Sequence, residues 1–362
     1  MTVLSVRSVR LRTLSVALCL ALFAGACGSN DDDSSGVPSP TSAEALTGRV
    51  NLGFFPNVTH APALVGVEEG LFDDALGDGV EFDTFTFNAG TEATEALFAG
   101  AIDLTFIGPN PAINAFAKSG GEAIRIISGS TSGGAYLVVK PEITTPAELV
   151  GRTIATPSLG NTQDVALRAW LAEQGFETTP EGGGDVTILP QSNATSLESF
   201  VAGSIDGAWV PEPWATRLIL EGKGRVLVDE RDLWAETGGE YVTTHLIART
   251  EFLEQHPDLV QAVLEGLATA IDAIESDPEG AQAAVIAQIE SITGQSPSAD
   301  VIAESFGNLT FTLDPIAASL AGSARDAEGV GLLDPVDLTG IYDLSLLNAL
   351  LAVRGDGPMG AL

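Results

Sequence analysis

Cysteine, histidine and basic residues are scarce in this chain. Its 362 residues include two cysteines, three histidines and 16 lysine or arginine residues against 49 acidic ones, which gives a formal charge of −33. Both cysteines, Cys19 and Cys27, lie within the first 27 residues, so a Cys–His nucleophilic pair has no thiol in the rest of the chain. No histidine lies at ligand spacing from another, which excludes a Cys/His metal site. We therefore predict neither a metal ion nor a cofactor.

Basic clusters and enzyme motifs are also missing from the sequence. No run of Lys or Arg occurs after the first dozen residues, which excludes a nucleic-acid-binding surface. The sequence has no Walker loop, no GxSxG, no HExxH and no GxGxxG after a strand-like segment. These absences predict a binding protein rather than an enzyme. A length of 362 residues exceeds what one core needs, and it predicts two lobes.

The N-terminus has the pattern of a secretion signal. Three arginines precede an apolar run at 14–23, which is too short to span a membrane and ends in Ala24-Gly25-Ala26 before Cys27. Small residues directly before a cysteine resemble a bacterial lipobox, so we predict a signal peptide over 1–26 and lipidation of Cys27. An ordinary signal peptide followed by a chance cysteine is the alternative. Residues 27–47 are rich in Ser, Asp and Pro and predict a disordered tether.

The body of the chain alternates short strand-like runs with amphipathic helical stretches, which is typical of the α/β class. Beyond His256 the pattern becomes helical. Four helices are predicted there, over Asp258–Ile274, Pro278–Ser291, Ser298–Phe306 and Leu338–Leu351.

One segment is repeated along the chain. The residues Ala99-Gly100-Ala101-Ile102-Asp103 match Ala202-Gly203-Ser204-Ile205-Asp206 at an offset of 103 residues. Both copies read as a helix, a turn, a strand and a proline-containing loop. Chance similarity between two α/β units is one interpretation. The other is a pair of similar lobes that each present one loop to a shared cleft.

The candidate ligand-binding residues lie in loops that follow predicted strands and open onto helices, where ligands of open α/β sheets bind. Amides and hydroxyls at helix N-termini can hold an anion, although the same residue types also serve as plain N-caps. The polar candidates are Asn57, Thr59, His60, Thr91, Asn110, Ser130, Thr131, Asn161, Thr162, Ser192 and Asn193. His60 is predicted either as a ligand donor or pH switch, or as a hydrogen-bonded structural residue.

Three further residues and one ion pair complete the candidate site. Trp209 and Trp214 are predicted to wall the cleft, with core packing equally open for Trp209. Glu212, held between two prolines, either faces a ligand ammonium group or braces the hinge. Asp164 and Arg168 are predicted as a surface pair at i,i+4. The candidate loops contain no Lys or Arg, so an anion would be bound by amides, hydroxyls and helix ends.

Four stretches carry a family resemblance: FFPNVTHAPALVGVEEGLF, FNAGTEATEALFAGAIDLTFIGPNPAINAF, TIATPSLGNTQDVALRAWL and WVPEPWATRL. They resemble the nitrate/sulfonate/taurine group of ABC-transporter substrate-binding proteins over about residues 49–259. The resemblance implies a type II periplasmic-binding-protein fold with two lobes, a ligand cleft between them and a helical C-terminal tail. It implies lobe 1 over 48–137, lobe 2 over 138–241, and completion of lobe 1 with the C-terminal helices over 242–362. Strands near 135–139 and 243–248 would form the hinge.

The resemblance also implies a function and partners. Such proteins deliver a small solute to a membrane permease driven by a separate ATPase, here a small organic anion or zwitterion of the sulfonate, taurine or nitrate kind. We expect a monomer that meets the membrane through its lipid anchor alone, on the extracytoplasmic face. The absence of a basic residue from the loops departs from the pattern often seen in sulfonate and taurine binders. Binding of a pyrimidine precursor and a non-transport enzyme on the same fold are the alternatives.

Overall fold

A computed structural model describes residues 45–362. The predicted signal peptide, Cys27 and the tether up to residue 44 lie outside the described residues. The described part forms two β-sheets with helices packed on them. Their strands are β1 Gly48–Phe54, β2 Val80–Thr86, β3 Leu104–Ile107, β4 Ile124–Gly133, β5 Ala135–Val139, β6 Thr153–Thr156, β7 Thr187–Pro190, β8 Gly207–Pro211, β9 Arg225–Asp229, β10 Val242–Arg249 and β11 Leu309–Phe311.

The two sheets share one design. The six-stranded sheet has the order β11-β4-β10-β3-β1-β2, and the five-stranded sheet has the order β7-β6-β8-β5-β9. In each, three parallel strands at one edge of the sheet (β2-β1-β3 and β7-β6-β8) adjoin an antiparallel strand, β10 or β5. We call the six-stranded sheet with its helices the first lobe and the five-stranded sheet with its helices the second lobe. The residue boundaries given above for the two lobes stay a prediction.

Helices connect the strands and cover both sheets. Proline occupies the first turn of α1, α4, α9 and α10, where its missing N–H costs no hydrogen bond. The helices are α1 Ala61–Glu68, α2 Leu71–Leu76, α3 Gly90–Phe98, α4 Pro109–Lys118, α5 Thr162–Glu173, α6 Asn193–Val201, α7 Trp214–Leu220, α8 Thr250–Gln255, α9 Pro257–Ser276, α10 Pro278–Thr293, α11 Ala299–Gly307, α12 Ala317–Gly329 and α13 Ser345–Arg354. None of the described helices is long and apolar enough to cross a membrane.

The first-lobe core is built around Phe72. Its ring lies 5.9 Å from that of Phe82 and 6.4 Å from that of Phe106. Helices α1 and α9 approach this ring through glycines, since a Cβ added at Gly66 or Gly266 would lie 2.4 Å or 2.6 Å from it. Close packing of this kind leaves no room for a methyl group, so these two positions require glycine.

The chain passes between the sheets at two places. Strand β4 leads into β5 through Gly133 and Gly134, whose φ angles of 83° and 74° favour glycine. The return runs from β9 through 3-10 turns to β10, where the Tyr241 hydroxyl accepts a hydrogen bond of 3.0 Å from the amide of Ala135. The predicted hinge strands are therefore found next to the crossings, each within one sheet.

One predicted helix is wrong in its N-terminal half. The helix predicted over Leu338–Leu351 begins only at Ser345 and extends to Arg354. The preceding segment runs along β4 instead: Ile126 donates its amide to the Ile341 carbonyl and accepts from the amide of Asp343. The sheet supplies hydrogen bonds that the local sequence pattern does not show. Helix α12 was not predicted, because its Ala-, Ser- and Gly-rich sequence gives a weak apolar pattern.

Candidate ligand-binding cavity

A small cavity lies between the lobes at the carboxyl ends of the parallel strands. Its volume is about 30 Å³, which leaves room for a few water-sized groups. Both lobes supply its walls. The lining residues are Phe55, Asn57, Thr59, His60, Asn88, Gly108, Pro111, Pro157, Asn161, Thr162, Gln163, Asn193, Pro211 and Thr243. Six of the residues predicted from sequence are brought together here: Asn57, Thr59, His60, Asn161, Thr162 and Asn193.

His60 enters the cavity from the turn that follows β1. Its ring stacks on Phe55 at 4.6 Å, and its Nδ1 accepts a long hydrogen bond of 3.4 Å from the Phe55 amide. Burial lowers the pKa of His60 from 6.5 to about 3, so the ring is neutral at physiological pH. Because Nδ1 accepts, we assign the ring proton to Nε2. This agrees with a hydrogen-bonded structural histidine and gives no support to a switch near neutral pH.

The second lobe presents the first residues of α5 and α6. Asn161 caps α5 by accepting the amide of Gln163 at 3.1 Å, and Thr162 follows as the first helical residue. Asn193 is the first residue of α6, and its Oδ1 is buried without a hydrogen-bond partner in the described structure. An unpartnered polar atom on a cavity wall is a direct candidate for contact with a ligand.

Two contacts join the lobes beside the cavity. The indole Nε1 of Trp214 donates a hydrogen bond of 2.9 Å to Oδ1 of Asn57 in the opposite lobe. Gly108 packs so closely against the second lobe that a Cβ there would lie 2.7 Å from Oγ1 of Thr162. The guanidinium of Arg217 stacks on the Trp214 ring at 4.9 Å and pairs with Glu221 at 2.7 Å, so it is engaged on the surface.

Five predicted polar residues lie outside the cavity lining. Thr91 is exposed, and Ser192 caps α6 by accepting the amide of Thr195. Asn110 is buried and donates to the Ser323 carbonyl at 3.1 Å. Ser130 and Thr131 are also buried, on β4. For Ser192 the plain N-cap interpretation matches the structure.

Trp209 belongs to the core rather than to the cleft wall. It is fully buried, lies edge-on to Trp170 at 6.0 Å, and donates its indole proton to Glu230 at 2.7 Å. All five residues of β8 are buried, so alternation along the strand does not show which side chain faces a ligand. Of the two interpretations predicted for Trp209, its contacts support core packing, and Trp209 is not part of the cavity lining.

Glu212 braces the hinge and does not line the cavity. Its carboxylate is fully buried and accepts hydrogen bonds from the Thr216 amide and hydroxyl, at 3.1 and 2.9 Å. From the first lobe, Ser305 and Asn308 of the α11 region donate to it at 3.1 and 2.8 Å. Burial raises the pKa of Glu212, while these four donors oppose the shift. Of the two roles predicted for Glu212, its contacts support the brace and leave no oxygen turned toward a ligand ammonium.

The Asp164–Arg168 pair is buried, which corrects its prediction as a surface pair. The side chains are 0% and 1% exposed and lie 3.0 Å apart. Asp164 also accepts from the Thr156 hydroxyl at 2.7 Å and from the Gly160 amide at 3.0 Å. This pair fixes the N-terminus of α5 beneath the cavity from inside the second lobe.

The lining carries no charged side chain. It contains no Lys, Arg, Asp or Glu, and its one histidine is neutral. No group of three potential metal ligands occurs among residues 45–362. Phe55, Gly108 and the prolines of the lining do not stand out in the sequence, because apolar residues and glycines of this kind are equally typical of a core. Gln163 follows the predicted site residue Thr162 at the start of α5, so its position at a helix N-terminus would have indicated it as well.

Comparison with known proteins identifies relatives of this chain. A model described as the NMT1-like family matches residues 43–290, which is more than half of the chain. The taurine-binding periplasmic protein of Escherichia coli is 26% identical over 284 residues, covering 77% of this chain and 83% of that protein. The nitrate/nitrite binding protein of Synechococcus elongatus is 24% identical over 285 residues, covering 69% and 62%.

Solved structures show the same fold. The alkanesulfonate-binding protein of Xanthomonas axonopodis, solved bound to MOPS, matches with a TM-score of 0.67 at 21% identity, over 83% of this chain and 99% of that one. The periplasmic nitrate-binding protein of Synechocystis matches with a TM-score of 0.70 at 17% identity, over 85% and 89%. The predicted fold, a periplasmic-binding-protein architecture with a helical C-terminal part, is confirmed.

Proposed function

This chain belongs to the NMT1-like family, and on that premise we propose that it is the solute-binding component of an ABC importer. It captures a small organic anion or zwitterion of the sulfonate, taurine or nitrate kind between its lobes and delivers it to a membrane permease with its ATPase. The observation that carries the proposal is the cavity at the carboxyl ends of the parallel strands, beside which Trp214 of one lobe donates a hydrogen bond to Asn57 of the other. The relatives named above are themselves described as binding proteins.

The unpaired polar groups of the cavity support binding without chemistry. The side chains of Thr59, Thr162 and Gln163 are at least 94% buried and make no hydrogen bond within the described part of the chain. The lining holds no nucleophile paired with a base and no carboxylate for acid–base catalysis. Hydroxyls and amides of this kind bind and orient a solute, so we propose a receptor rather than an enzyme.

The proposed receptor is a lipoprotein on the extracytoplasmic face of the membrane. The support is the sequence pattern that ends at Cys27. Cell fractionation of Cys27→Ala tests it: the variant should move from the membrane to the soluble fraction while its far-UV circular dichroism stays native. Retention of the variant in the membrane would contradict anchoring through Cys27.

A thermal-shift screen of the purified protein tests the binding function. The ligands are nitrate, bicarbonate, short alkanesulfonates, taurine and pyrimidines, because pyrimidine precursors are the alternative solutes. A ligand at 100 times its dissociation constant stabilises the folded state by about 2.7 kcal/mol, which a melting curve resolves. Stabilisation by an anion or by taurine supports the proposal. A response to pyrimidines alone would favour the alternative.

A further inference from the structure

The charge of the cavity points to a narrower class of ligand, an inference that rests on the proposed function. We propose that the site takes a monovalent oxyanion with no ammonium group, and that it discriminates against taurine-like zwitterions and against dianions such as sulfate. Three properties of the described structure carry this proposal: the lining lacks carboxylates, it lacks cations, and the positive ends of two helices meet there.

An ammonium group would find no carboxylate in the cavity. The lining contains no Asp or Glu. Glu212 is turned into the hinge, where four donors from Thr216, Ser305 and Asn308 occupy its oxygens. Asp164 is bound by Thr156, Gly160 and Arg168. A buried ammonium that meets only neutral groups loses its hydration without an ion partner, which is costly.

A second negative charge would also be left uncompensated. Arg168 is held by Asp164 and by the Thr179 carbonyl, and Arg217 is paired with Glu221. His60 adds no charge, because burial keeps its ring neutral. The site therefore has no cationic side chain to balance a dianion.

The attraction for one negative charge comes from the helices of the second lobe. Helices α5, of 12 residues, and α6, of 9 residues, both place their first residue, Thr162 and Asn193, in the lining. A helix N-terminus acts as about half a positive charge, so two of them balance about one unit. The orphaned amide of Asn193 can present Nδ2 to an anion after a half-turn, since the two ends of an amide are assigned from their partners.

Two isosteric pairs test the proposal on the unmodified protein by calorimetry at pH 7.5. Propanesulfonate carries a methyl group where taurine carries an ammonium group. Methanesulfonate carries a methyl group where sulfate carries a charged oxygen. Nitrate and bicarbonate are measured beside them. We expect each sulfonate to bind at least tenfold more tightly than its isostere. If the site takes only the smaller anions, nitrate or bicarbonate should bind at least tenfold more tightly than sulfate and taurine.

The outcomes separate the two levels of the argument. Taurine or sulfate binding as tightly as the best monovalent anion would overturn this inference and leave the anion or zwitterion receptor standing. Binding of none of these ligands would overturn the proposed ligand class itself, and the inference with it.

A variant with an added carboxylate provides an independent test. Asn193→Asp should shift the ratio of taurine to propanesulfonate affinity at least tenfold in favour of taurine, whereas Asn193→Ala should weaken both ligands by similar factors. Glu212→Gln should change both affinities by the same factor, because Glu212 faces away from the ligand. The proposal would be contradicted if folded Asn193→Asp kept the same ratio of taurine to propanesulfonate affinity. It would also be contradicted if Glu212→Gln weakened the binding of taurine alone.

Discussion

Asp103 and Asp206 perform the same task in the two lobes. Asp103 accepts the amide of Asn51 on β1 at 3.0 Å, and Asp206 accepts the amide of Thr153 on β6, also at 3.0 Å. Each aspartate also donates its own amide to the carbonyl of that same residue, Asn51 or Thr153. The two aspartates are the last residues of the repeated segment, so the repeat in sequence is also a repeat in hydrogen bonding.

The same carboxylates reach the strands that adjoin the crossings. Asp103 pairs with Arg249, the last residue of β10, at 3.0 Å, and Asp206 pairs with Lys140, directly after β5, at 3.1 Å. Each aspartate therefore links the middle strand of the parallel unit, β1 or β6, to the end of the antiparallel strand, β10 or β5, that lies two positions away in the sheet. A charge-assisted hydrogen bond to backbone is the stronger kind, worth about 1.5–3 kcal/mol.

Loss of either carboxylate should destabilise the protein. Asp103→Asn and Asp206→Asn are each expected to lower the free energy of unfolding by about 1–3 kcal/mol, because the neutral amide weakens the backbone contact and ends the ion pair. Urea denaturation measures the change. The matched control is Glu142→Gln, which alters an exposed carboxylate and should change stability by less than about 0.5 kcal/mol. A neutral result for both aspartates would contradict a structural role of the repeat.

Thr162 and Thr91 should respond differently to removal of their hydroxyls. Thr162 lines the cavity with an unpaired hydroxyl, whereas Thr91 is exposed and outside the lining. Thr162→Val should weaken ligand binding by about 5- to 30-fold, the equivalent of one lost hydrogen bond in a buried site. Thr91→Val, the matched control, should leave the affinity within twofold. Titration calorimetry measures the two affinities. Equal losses of affinity in Thr162→Val and Thr91→Val would contradict ligand binding in this cavity.

The bond between Trp214 and Asn57 should contribute to ligand retention. Trp214→Phe removes the indole donor and keeps most of the apolar surface, so we expect a dissociation constant about 2- to 12-fold higher, for a net hydrogen bond of about 0.5–1.5 kcal/mol. Calorimetry gives the affinity and stopped-flow mixing gives the dissociation rate, where most of the change should occur.

Arg217→Gln is the control for Trp214. It removes the cation stacked on the same indole and preserves the bond to Asn57. We expect an affinity close to that of the unmodified protein. A loss as large as that of Trp214→Phe would mean that the position of the ring, rather than its hydrogen bond to the opposite lobe, determines retention.

Glu230 should make the protein less stable as the pH rises. Burial raises the pKa of Glu230 from 4.5 to about 7, with Asp326 and Asp229 adding repulsion and the Trp209 indole opposing the shift. The folded state therefore favours the protonated acid. Its contribution is complete below pH 4.5 and is lost as the pH rises through 7, by about 3 kcal/mol in total.

The variant Glu230→Gln isolates this effect. Gln keeps an acceptor for Trp209 and cannot ionise, so the variant should gain stability relative to the unmodified protein between pH 5 and 8. His60 and His245 give stability the opposite dependence on pH. Burial lowers their pKa values to about 3 and about 4, so acidification below pH 6.5 destabilises the folded protein. They are unchanged in the variant, so they cancel in the difference between the two urea curves. A difference independent of pH would contradict an ionising Glu230.

Much of the fold was predictable because its signals are local. The strands β5 and β6 and the starts of α9 and α10 follow from apolar runs and from prolines at helix starts, which depend on neighbouring residues alone. The segment 338–344 was not predictable, because its place is fixed by hydrogen bonds to β4 more than 200 residues earlier. The hydrophobic periodicity of a segment does not show a hydrogen-bond partner so far away in the chain.

The candidate site was predictable as a set of loops but not as a set of side chains. Asn57, Thr59 and Thr162 were selected by loop position and line the cavity, because strand ends and helix starts converge there. The direction of a side chain within a loop has no period, so the same reasoning selected Glu212. Its partners in the opposite lobe, Ser305 on α11 and Asn308 directly after α11, come more than 90 residues later in the chain. Ligand contact by these residues stays a prediction.

The position of Trp214 gives the protein an intrinsic optical reporter. Of the four tryptophans in the chain, Trp170 and Trp209 are buried in the core of one lobe, and Trp234 stacks on Tyr241 at 5.7 Å near a crossing. Trp214 alone among them donates its indole proton to the opposite lobe. Separation of the lobes would exchange that partner for water, so a red shift in ultraviolet emission follows opening without any attached dye. The spectrum of Trp214→Phe supplies the baseline against which the lobe motion is read.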